Sequence, residues 1–326
     1  METLLLNGDD VDSNARLGDV IDAVEDAFAA YARGNVQMPA KSYIDLPQYN
    51  GDFRSMPAYM DAGDWDAAAI KWVNVHPDNP AEHELPTVLG TLVYSDPETA
   101  YPLSIMDGTV ITEKRTGAAA AVATDHLAVK DARSLGLVGA GVQSYTQLAA
   151  IAEVRPIEEV VVSDLDDERI RRFVDAFADQ FDVREGTITE VGHCDVLSTV
   201  TPVREPIVGP NDLGEHTHVN AIGADAEGKH EIADDVLRAA KLVIDDYEQC
   251  THSGEINVPW SNGVLGPEDL YGELGDVVVG ELDGRTAADG VTVFDSTGLA
   301  IQDVAAAHVT YERARERGDG YEFELV

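Results

Sequence analysis

The sequence predicts an α/β protein in which a doubly wound parallel sheet is inserted into a second, α+β domain. Three observations predict it. From residue 134 onward, strand-length apolar runs alternate with helical stretches, the rhythm of a parallel sheet covered on both faces. Between residues 41 and 106 the strands are short and separated by turns, the pattern of an antiparallel or mixed sheet. A last helix, 301 to about 317, follows the final strand and is placed to return to the first domain. The corresponding boundaries are 1–117, 118–298 and 299–326.

The elements follow in order. Behind a short first strand, Val20, Ile21, Val24, Ala27, Phe28 and Tyr31 recur at helical spacing, and Gly34 closes the helix. Strands are expected at 41–46, 53–59, 69–75, 87–94 and 103–106. An alanine-rich helix, 117–123, leads into the second domain, whose strands are expected at 135–138, 160–163, 196–200, 218–222, 242–246 and 291–295.

Composition excludes several classes of function. Against 61 acids stand 22 basic residues, a net charge of −39, and the acids are spread along the whole chain. Such a field repels nucleic acid and anionic membranes, so neither is an expected partner. Lysine is the scarcer base, six against 16 arginines, a pattern that suggests adaptation to molar salt, where the Debye length falls to about 3 Å. The first residues lack a basic n-region, and no run approaches the ~20 apolar residues of a membrane span, so a soluble cytoplasmic protein is expected. Cys194 and Cys250 suggest no disulfide framework, and no His, Cys, Asp and Glu group has metal spacing, so no metal is expected.

Lys71 stands inside Ala67–Val75, a stretch that otherwise reads as a largely buried strand. Burying an ammonium costs several kcal/mol unless it is paired or gives up its proton, and both outcomes serve catalysis. A strand-edge lysine with a packed stem and a solvated head gives the same pattern.

Leu135-Gly136-Leu137-Val138-Gly139-Ala140-Gly141-Val142-Gln143 reads as a strand, a glycine turn and a helix start. Gly139 permits the turn, and Gly141 lets backbone amides approach a pyrophosphate. Ser144 takes the third glycine position, but the next strand ends in Asp164, where a carboxylate accepts from ribose hydroxyls and repels a 2′-phosphate. NAD is therefore expected rather than NADP, and the domain is Rossmann-type. Asp225 lies just past another strand end, at the edge where such sheets bind ligands, although a solvated loop aspartate reads the same way. Arg54 and Arg115 are candidate anion holders, and Arg115 with Thr116 directly precedes the alanine-rich helix, which suggests a phosphate over that helix start. His76 is read as a turn residue.

Several motifs in fixed order then resemble the ornithine cyclodeaminase/μ-crystallin family over nearly the whole chain, and most of all its archaeal alanine dehydrogenases. They are Met38-Pro39-Ala40-Lys41, Arg54-Ser55-Met56-Pro57-Ala58, Lys71-Trp72-Val73-Asn74-Val75-His76-Pro77, Leu85-Pro86-Thr87, Arg115-Thr116-Gly117-Ala118-Ala119, Asn220–Asp225, Gly254-Glu255-Ile256-Asn257 and Asp295–Asp303. The resemblance implies a homodimer whose first domain binds substrate and dimerises. It implies NAD-dependent, reversible oxidative deamination of a small L-amino acid, alanine foremost, to its 2-oxo acid and ammonia. It makes Lys71 the catalytic lysine, Asp225 the carboxylate beside it, and Arg54, shared with Lys41, the holder of the substrate carboxylate. Arg115, Thr116, Gly139, Gly141, Val142, Gln143, Asp164, Thr201, Ile222, Gly223 and Ser296 form the implied cofactor set. Cyclodeaminases carry glutamate before their Met-Pro, whereas here Arg54 is set off from Met56-Pro57 by one intervening residue, Ser55, in the alanine dehydrogenase manner; many members have arginine where Lys41 stands. Ornithine cyclodeamination or cyclic-imine reduction remains a rival activity. A rival from another class is NAD(P)H binding without turnover, against which the presence of both Lys71 and Asp225 speaks.

Overall fold

The structure is a computed structural model and describes residues 2–325. It divides into two compact units, residues 1–115 with 299–326, and residues 116–298.

The first unit opens with β1 (Thr3–Leu6), α1 (Gly8–Asn14) and α2 (Leu17–Ala32), followed by β2 (Val36–Gln37), β3 (Ser42–Leu46), β4 (Gly51–Asp61) and β5 (Asp66–Val75). A short α3 (Asn79–Glu82), β6 (Val88–Ser95) and β7 (Pro102–Asp107) complete its N-terminal part. α4 (Gly108–Leu127) carries the chain onward. The second unit continues with β8 (Ser134–Val138), α5 (Val142–Val154), β9 (Glu159–Ser163), α6 (Asp167–Phe177), β10 (Asp182–Glu185), α7 (Ile188–Gly192), β11 (Val196–Thr199) and β12 (His218–Ala221). It ends with α8 (Asp234–Ala239), β13 (Lys241–Ile244), α9 (Tyr247–Ser253), α10 (Asn257–Ser261), β14 (Leu270–Glu273), α11 (Leu274–Val278) and β15 (Thr292–Asp295). The chain then returns to the first unit with α12 (Ala300–Arg317) and β16 (Tyr321–Phe323).

In the first unit the strands run β16-β1-β7-β6-β5-β4-β2, with β3 also on β4. The pairs from β2 through β7 are antiparallel, and β1 joins β7 in parallel. Period-2 alternation sets the faces. Arg54, Met56, Ala58 and Met60 of β4 and Ala67, Ala69, Lys71 and Val73 of β5 are buried, while Ile70 and Trp72 are exposed. The buried face is covered by α12, which packs on β4, β5, β6 and α2. α2 forms because its apolar positions recur every three to four residues, burying Val20, Ile21, Val24, Ala27 and Phe28.

The start of α4 corrects one expectation. The helix begins at Gly108, where the Asp107 carboxylate accepts from the Val110 N–H at 2.8 Å and caps it. The β-branched run Thr109-Val110-Ile111-Thr112 reads as strand from sequence and hides that first turn. Arg115 and Thr116 therefore lie inside a helix, and no helix start is available there to hold a phosphate.

The second unit is an eight-stranded parallel sheet, β10-β9-β8-β11-β12-β15-β13-β14. Its order reverses between β8 and β11, the switch point where doubly wound sheets open a crevice at their C-terminal edge. Apolar cores lie on both faces. Leu135, Leu137, Val160, Val162, Leu148, Ile151 and Phe173 build one, and Val138, Val161, Leu197, Val219, Leu242, Ile244 and Val293 the other. β10, β14 and β16 escaped the sequence reading because edge strands lack a buried apolar run; β16 is exposed throughout. No described helix is long and apolar enough to cross a membrane.

Candidate active site

The first unit buries a lysine-centred cluster. Lys71 leaves the inner face of β5 opposite Met56 of β4 and Leu92 of β6, and is 1% exposed. Its Nζ donates to Asp303 Oδ1 at 2.6 Å and to Thr112 Oγ1 at 3.0 Å. The Thr112 hydroxyl donates to the Gly108 carbonyl at 2.7 Å, which leaves its oxygen facing Nζ as an acceptor. Arg115 Nε donates to the same Asp303 oxygen at 3.1 Å, and Arg115 Nη1 to Gln302 Oε1 at 3.1 Å.

This arrangement sets the lysine's charge. Burial lowers the Lys71 pKa from its ordinary 10.5 to about 7; Asp303 opposes the fall, while the charges of Arg115 and Lys41 add to it. With Lys71 neutral, Arg115 and Asp303 make a balanced buried pair; a proton on Lys71 leaves one uncompensated charge, and a low-dielectric interior resists that. Two polar atoms at the cluster, Asp303 Oδ2 and Gln302 Nε2, are buried and without a hydrogen-bond partner among the described residues. Such atoms are what a substrate or an ordered water satisfies.

Arg54 projects from β4 on the same face as Lys71, two residues along the register. Its guanidinium is forked onto Asp52, Nε to Oδ1 at 3.1 Å and Nη2 to Oδ2 at 2.9 Å, and lies 5.6 Å from the Tyr43 ring centroid. Lys41, just ahead of β3, lies close enough for its charge to act on Lys71. His76 packs its ring edge-on to Phe53 and accepts the Asn79 N–H with its carbonyl, as a turn residue does.

The second unit carries the glycine turn. Gly139, directly after β8, has φ +102°, a conformation that L side chains rarely adopt. Gly141 is the N-cap of α5; no side chain caps that helix, and the place where a Gly141 Cβ would stand is open space. Ser144, in the third glycine position, is buried and turns its hydroxyl back onto the Gly141 carbonyl, so its side chain stays out of the turn. Val142 is 61% exposed at the helix start. Asp164 Oδ2 accepts the Ala140 N–H at 2.7 Å, and Oδ1 that of Asp166 at 2.9 Å, which fixes a carboxylate beside the turn. Thr116 lends its carbonyl to Gln147.

At the same C-terminal edge, Thr201 follows β11, Ile222 and Gly223 follow β12, and Ser296 follows β15, donating to Asp245 Oδ2 at 3.0 Å. Asp225, four residues beyond β12, pairs with Lys229. The carboxylate in contact with Lys71 is Asp303. Sequence reasoning quoted Asp303 only as the last residue of a motif, because 232 positions separate it from the lysine. It also missed Thr112, hidden in the strand-like run, and Glu231, whose buried carboxylate accepts from Thr199, Thr201 and Gly223. Among the described residues no three His, Cys, Asp or Glu side chains are grouped to hold a metal.

Known proteins of the same build bear on these two sites. Residues 1–318 match the model of the ornithine cyclodeaminase/mu-crystallin family. The alanine dehydrogenase of Archaeoglobus fulgidus is 44% identical over 98% of both chains. Among solved structures, an archaeal alanine dehydrogenase dimer with bound NAD is similar at a TM-score of 0.95 and 43% identity, with all of both chains covered. The Δ1-pyrroline-2-carboxylate reductase of Thermococcus litoralis, solved with NADH and L-proline, follows at 0.93 and 35%, covering 98% of this chain and 99% of its own. This chain belongs to the ornithine cyclodeaminase/mu-crystallin family.

Proposed function

We propose that this protein is an NAD(H)-dependent oxidoreductase that interconverts a small L-amino acid, L-alanine foremost, with its 2-oxo acid and ammonia. The observation that carries the reading is Lys71, a buried amine with a pKa of about 7 held between a carboxylate and a hydroxyl. A group that takes up and releases a proton near neutrality suits acid–base work on a substrate nitrogen. The similarity to alanine dehydrogenases over the full chain supports the same substrate class.

The second unit's residues fit a dinucleotide: an uncapped helix N-terminus, open space at Gly141 and a carboxylate fixed beside the turn. Gly139, Gly141, Val142 and Gln143 would hold its pyrophosphate and Asp164 its ribose hydroxyls. Thr201, Ile222, Gly223 and Ser296 would line the rest of the edge. The charge of Asp164 favours NAD over NADP. NAD, when bound, supplies the acceptor for the substrate's α-hydride. Arg115 we assign to the lysine cluster rather than to the phosphates.

Arg54, with Lys41, we assign to holding the substrate carboxylate, for which a guanidinium fork is suited. Neutral Lys71 takes a proton from the substrate ammonium, and the freed lone pair becomes the C=N bond as the α-hydride leaves. Lys71 then releases that proton to solvent, takes one from the water that adds to the imino carbon and gives it to the amino nitrogen; the C–N bond breaks, and the hydroxyl left on carbon yields its proton to the departing ammonia as the 2-oxo acid forms. Asp303 and Thr112 hold Nζ in place, and Asp303 stabilises its charged form. Asp225 we assign to stabilising positive charge on the substrate nitrogen.

The outer face of the first unit's sheet exposes Ile44, Ile70 and Trp72 beside Phe53, which stacks on Trp72 at 5.2 Å. We take it as the surface where a second copy packs to make a homodimer, a dimer being the form of the similar archaeal structure. The acidic composition is taken as adaptation to molar salt, in keeping with a soluble protein of the cytoplasm.

The test is NADH absorbance in molar KCl with L-alanine, ornithine, pyruvate plus ammonia, and a cyclic imine. NADH formed with alanine and consumed with pyruvate plus ammonia is the expected result. NADH consumed with the imine alone, or proline formed from ornithine without net NADH, overturns the reading.

A further inference from the structure

Glu231 is an acidic side chain with no solvent exposure, in the second unit, to which the proposed reaction gives no role. Its carboxylate collects four donors. Oε1 accepts the Thr201 N–H at 2.8 Å and the Thr201 hydroxyl at 2.7 Å; Oε2 accepts the Thr199 hydroxyl at 2.8 Å and the Gly223 N–H at 3.0 Å. One carboxylate thus ties the segment leaving β11 to the segment leaving β12, at the C-terminal edge of the sheet.

That tie reaches the glycine turn. A side chain at Gly139 would stand 3.2 Å from the Val200 carbonyl and 3.3 Å from the Thr201 methyl, so the turn rests directly on the segment Glu231 holds. Gly223 is glycine for the same reason, since a Cβ there would fall 2.4 Å from Glu231 Oε2 and 2.4 Å from the Thr201 carbonyl. Glu231 is itself anchored from behind. Glu255 Oε1 accepts the N–H groups of Glu231 at 2.8 Å and Ile232 at 2.6 Å, and Asp295 accepts those of Glu255 at 2.8 Å and Ile256 at 3.1 Å. Each carboxylate fixes the backbone of the next, from the end of β15 to the glycine turn.

Two buried acids in sequence cannot both be ionised cheaply. Burial, and then the charge of Glu231, push Glu255 well above the usual carboxylate range, and its Oε2 has no hydrogen-bond partner among the described residues. Burial pushes Glu231 up as well, but its four donors oppose this, so Glu231 is the better placed of the two to carry a negative charge.

We propose that Glu231 is a positioning residue of the dinucleotide site, which sets the Thr201 and Gly223 segments against the Gly139 turn without touching the ligand. The proposal rests on the dinucleotide reading above. Its sharpest probe is Glu231→Gln, which keeps shape and removes charge. A threonine hydroxyl can rotate to suit an amide, but a backbone N–H cannot; whichever way the new amide turns, its NH2 faces the N–H of Thr201 or of Gly223. At least one segment must move.

The experiment is NADH titration by fluorescence on wild type, Glu231→Gln and Thr199→Val in molar KCl, with thermal unfolding of each unliganded protein. Thr199 is fully buried, so its variant removes one donor to Glu231 and nothing at the surface. Expected is an NADH Kd raised about tenfold or more in Glu231→Gln and about threefold in Thr199→Val. The KM for NADH should rise in step, while the pH dependence assigned to Lys71 stays in place. Should Glu231→Gln fail to fold, Thr199→Val carries the test. Variants that melt earlier but bind NADH within twofold of wild type overturn the proposal and leave Glu231 a structural brace. Wild type that binds no NADH overturns the dinucleotide reading instead.

Discussion

Replacing Asp303 with asparagine isolates the interaction on which the reading of Lys71 depends. The change keeps the side chain's size and removes the negative charge that Nζ touches at 2.6 Å, while the Arg115 charge that disfavours a second cation stays. Loss of an opposite charge at that range lowers an amine's pKa by about one to three pH units. From a starting value of about 7, the neutral form of Lys71 then persists to roughly pH 4–6. In amino-acid oxidation, kcat/KM should climb with pH up to the Lys71 pKa and flatten above it, and Asp303→Asn should carry that limb downward. Steps in which Lys71 must hold a proton lose about 1.4–4 kcal/mol of stabilisation, a factor of roughly 10–1,000 in kcat. The assay is the pH dependence of NADH formation in molar KCl, between pH 5 and 9, for both proteins. An acid limb that stays near 7 in Asp303→Asn, or moves up, refutes the reasoning.

Three further outcomes are expected. Lys71→Met should abolish turnover and leave NADH binding intact. It should also remove a pH-dependent penalty, because an amine whose folded pKa lies below its unfolded one binds its proton more tightly when unfolded; that penalty is absent above pH 10.5 and complete below 7. Denaturant unfolding should therefore show wild type losing about 3–4 kcal/mol relative to Lys71→Met between pH 10 and pH 7, and parallel pH curves would contradict this. Trp72→Glu, placing a charge on the exposed apolar sheet face, should shift sedimentation from dimer to monomer; an unchanged dimer would move the interface elsewhere. Raising KCl from about 0.1 to 2 M should raise the melting temperature, since the Debye length falls from about 10 Å to below 3 Å and screens a net charge of −39; a flat or falling melting curve would sink the salt-adaptation reading.

Residues whose reason is local were legible in the sequence. Lys71 stands out as a cation in an apolar strand, Gly139 and Gly141 as a turn between strand and helix, and Asp164 as an acid at the next strand's end. What stayed hidden depends on distant pairing. Asp303 meets Lys71 across 232 positions, and Glu231 meets Thr199 across 32; in a chain with 61 acids neither carboxylate announces itself. The early start of α4 was masked because four β-branched residues in its first turns carry a strand signature, which the Asp107 cap overrides. Arg54 marks the other limit: its type suits a carboxylate ligand, and only the structure reveals that its fork already grips Asp52.

The scarcity of lysine makes the central claim open to direct measurement. With six lysines in the chain, NMR of protein labelled with 13C at lysine Cε gives few enough signals to assign Lys71 by its loss in Lys71→Met. The account predicts that this signal titrates near pH 7 in the unliganded protein, and a Lys71 signal that titrates only above pH 9 would contradict it.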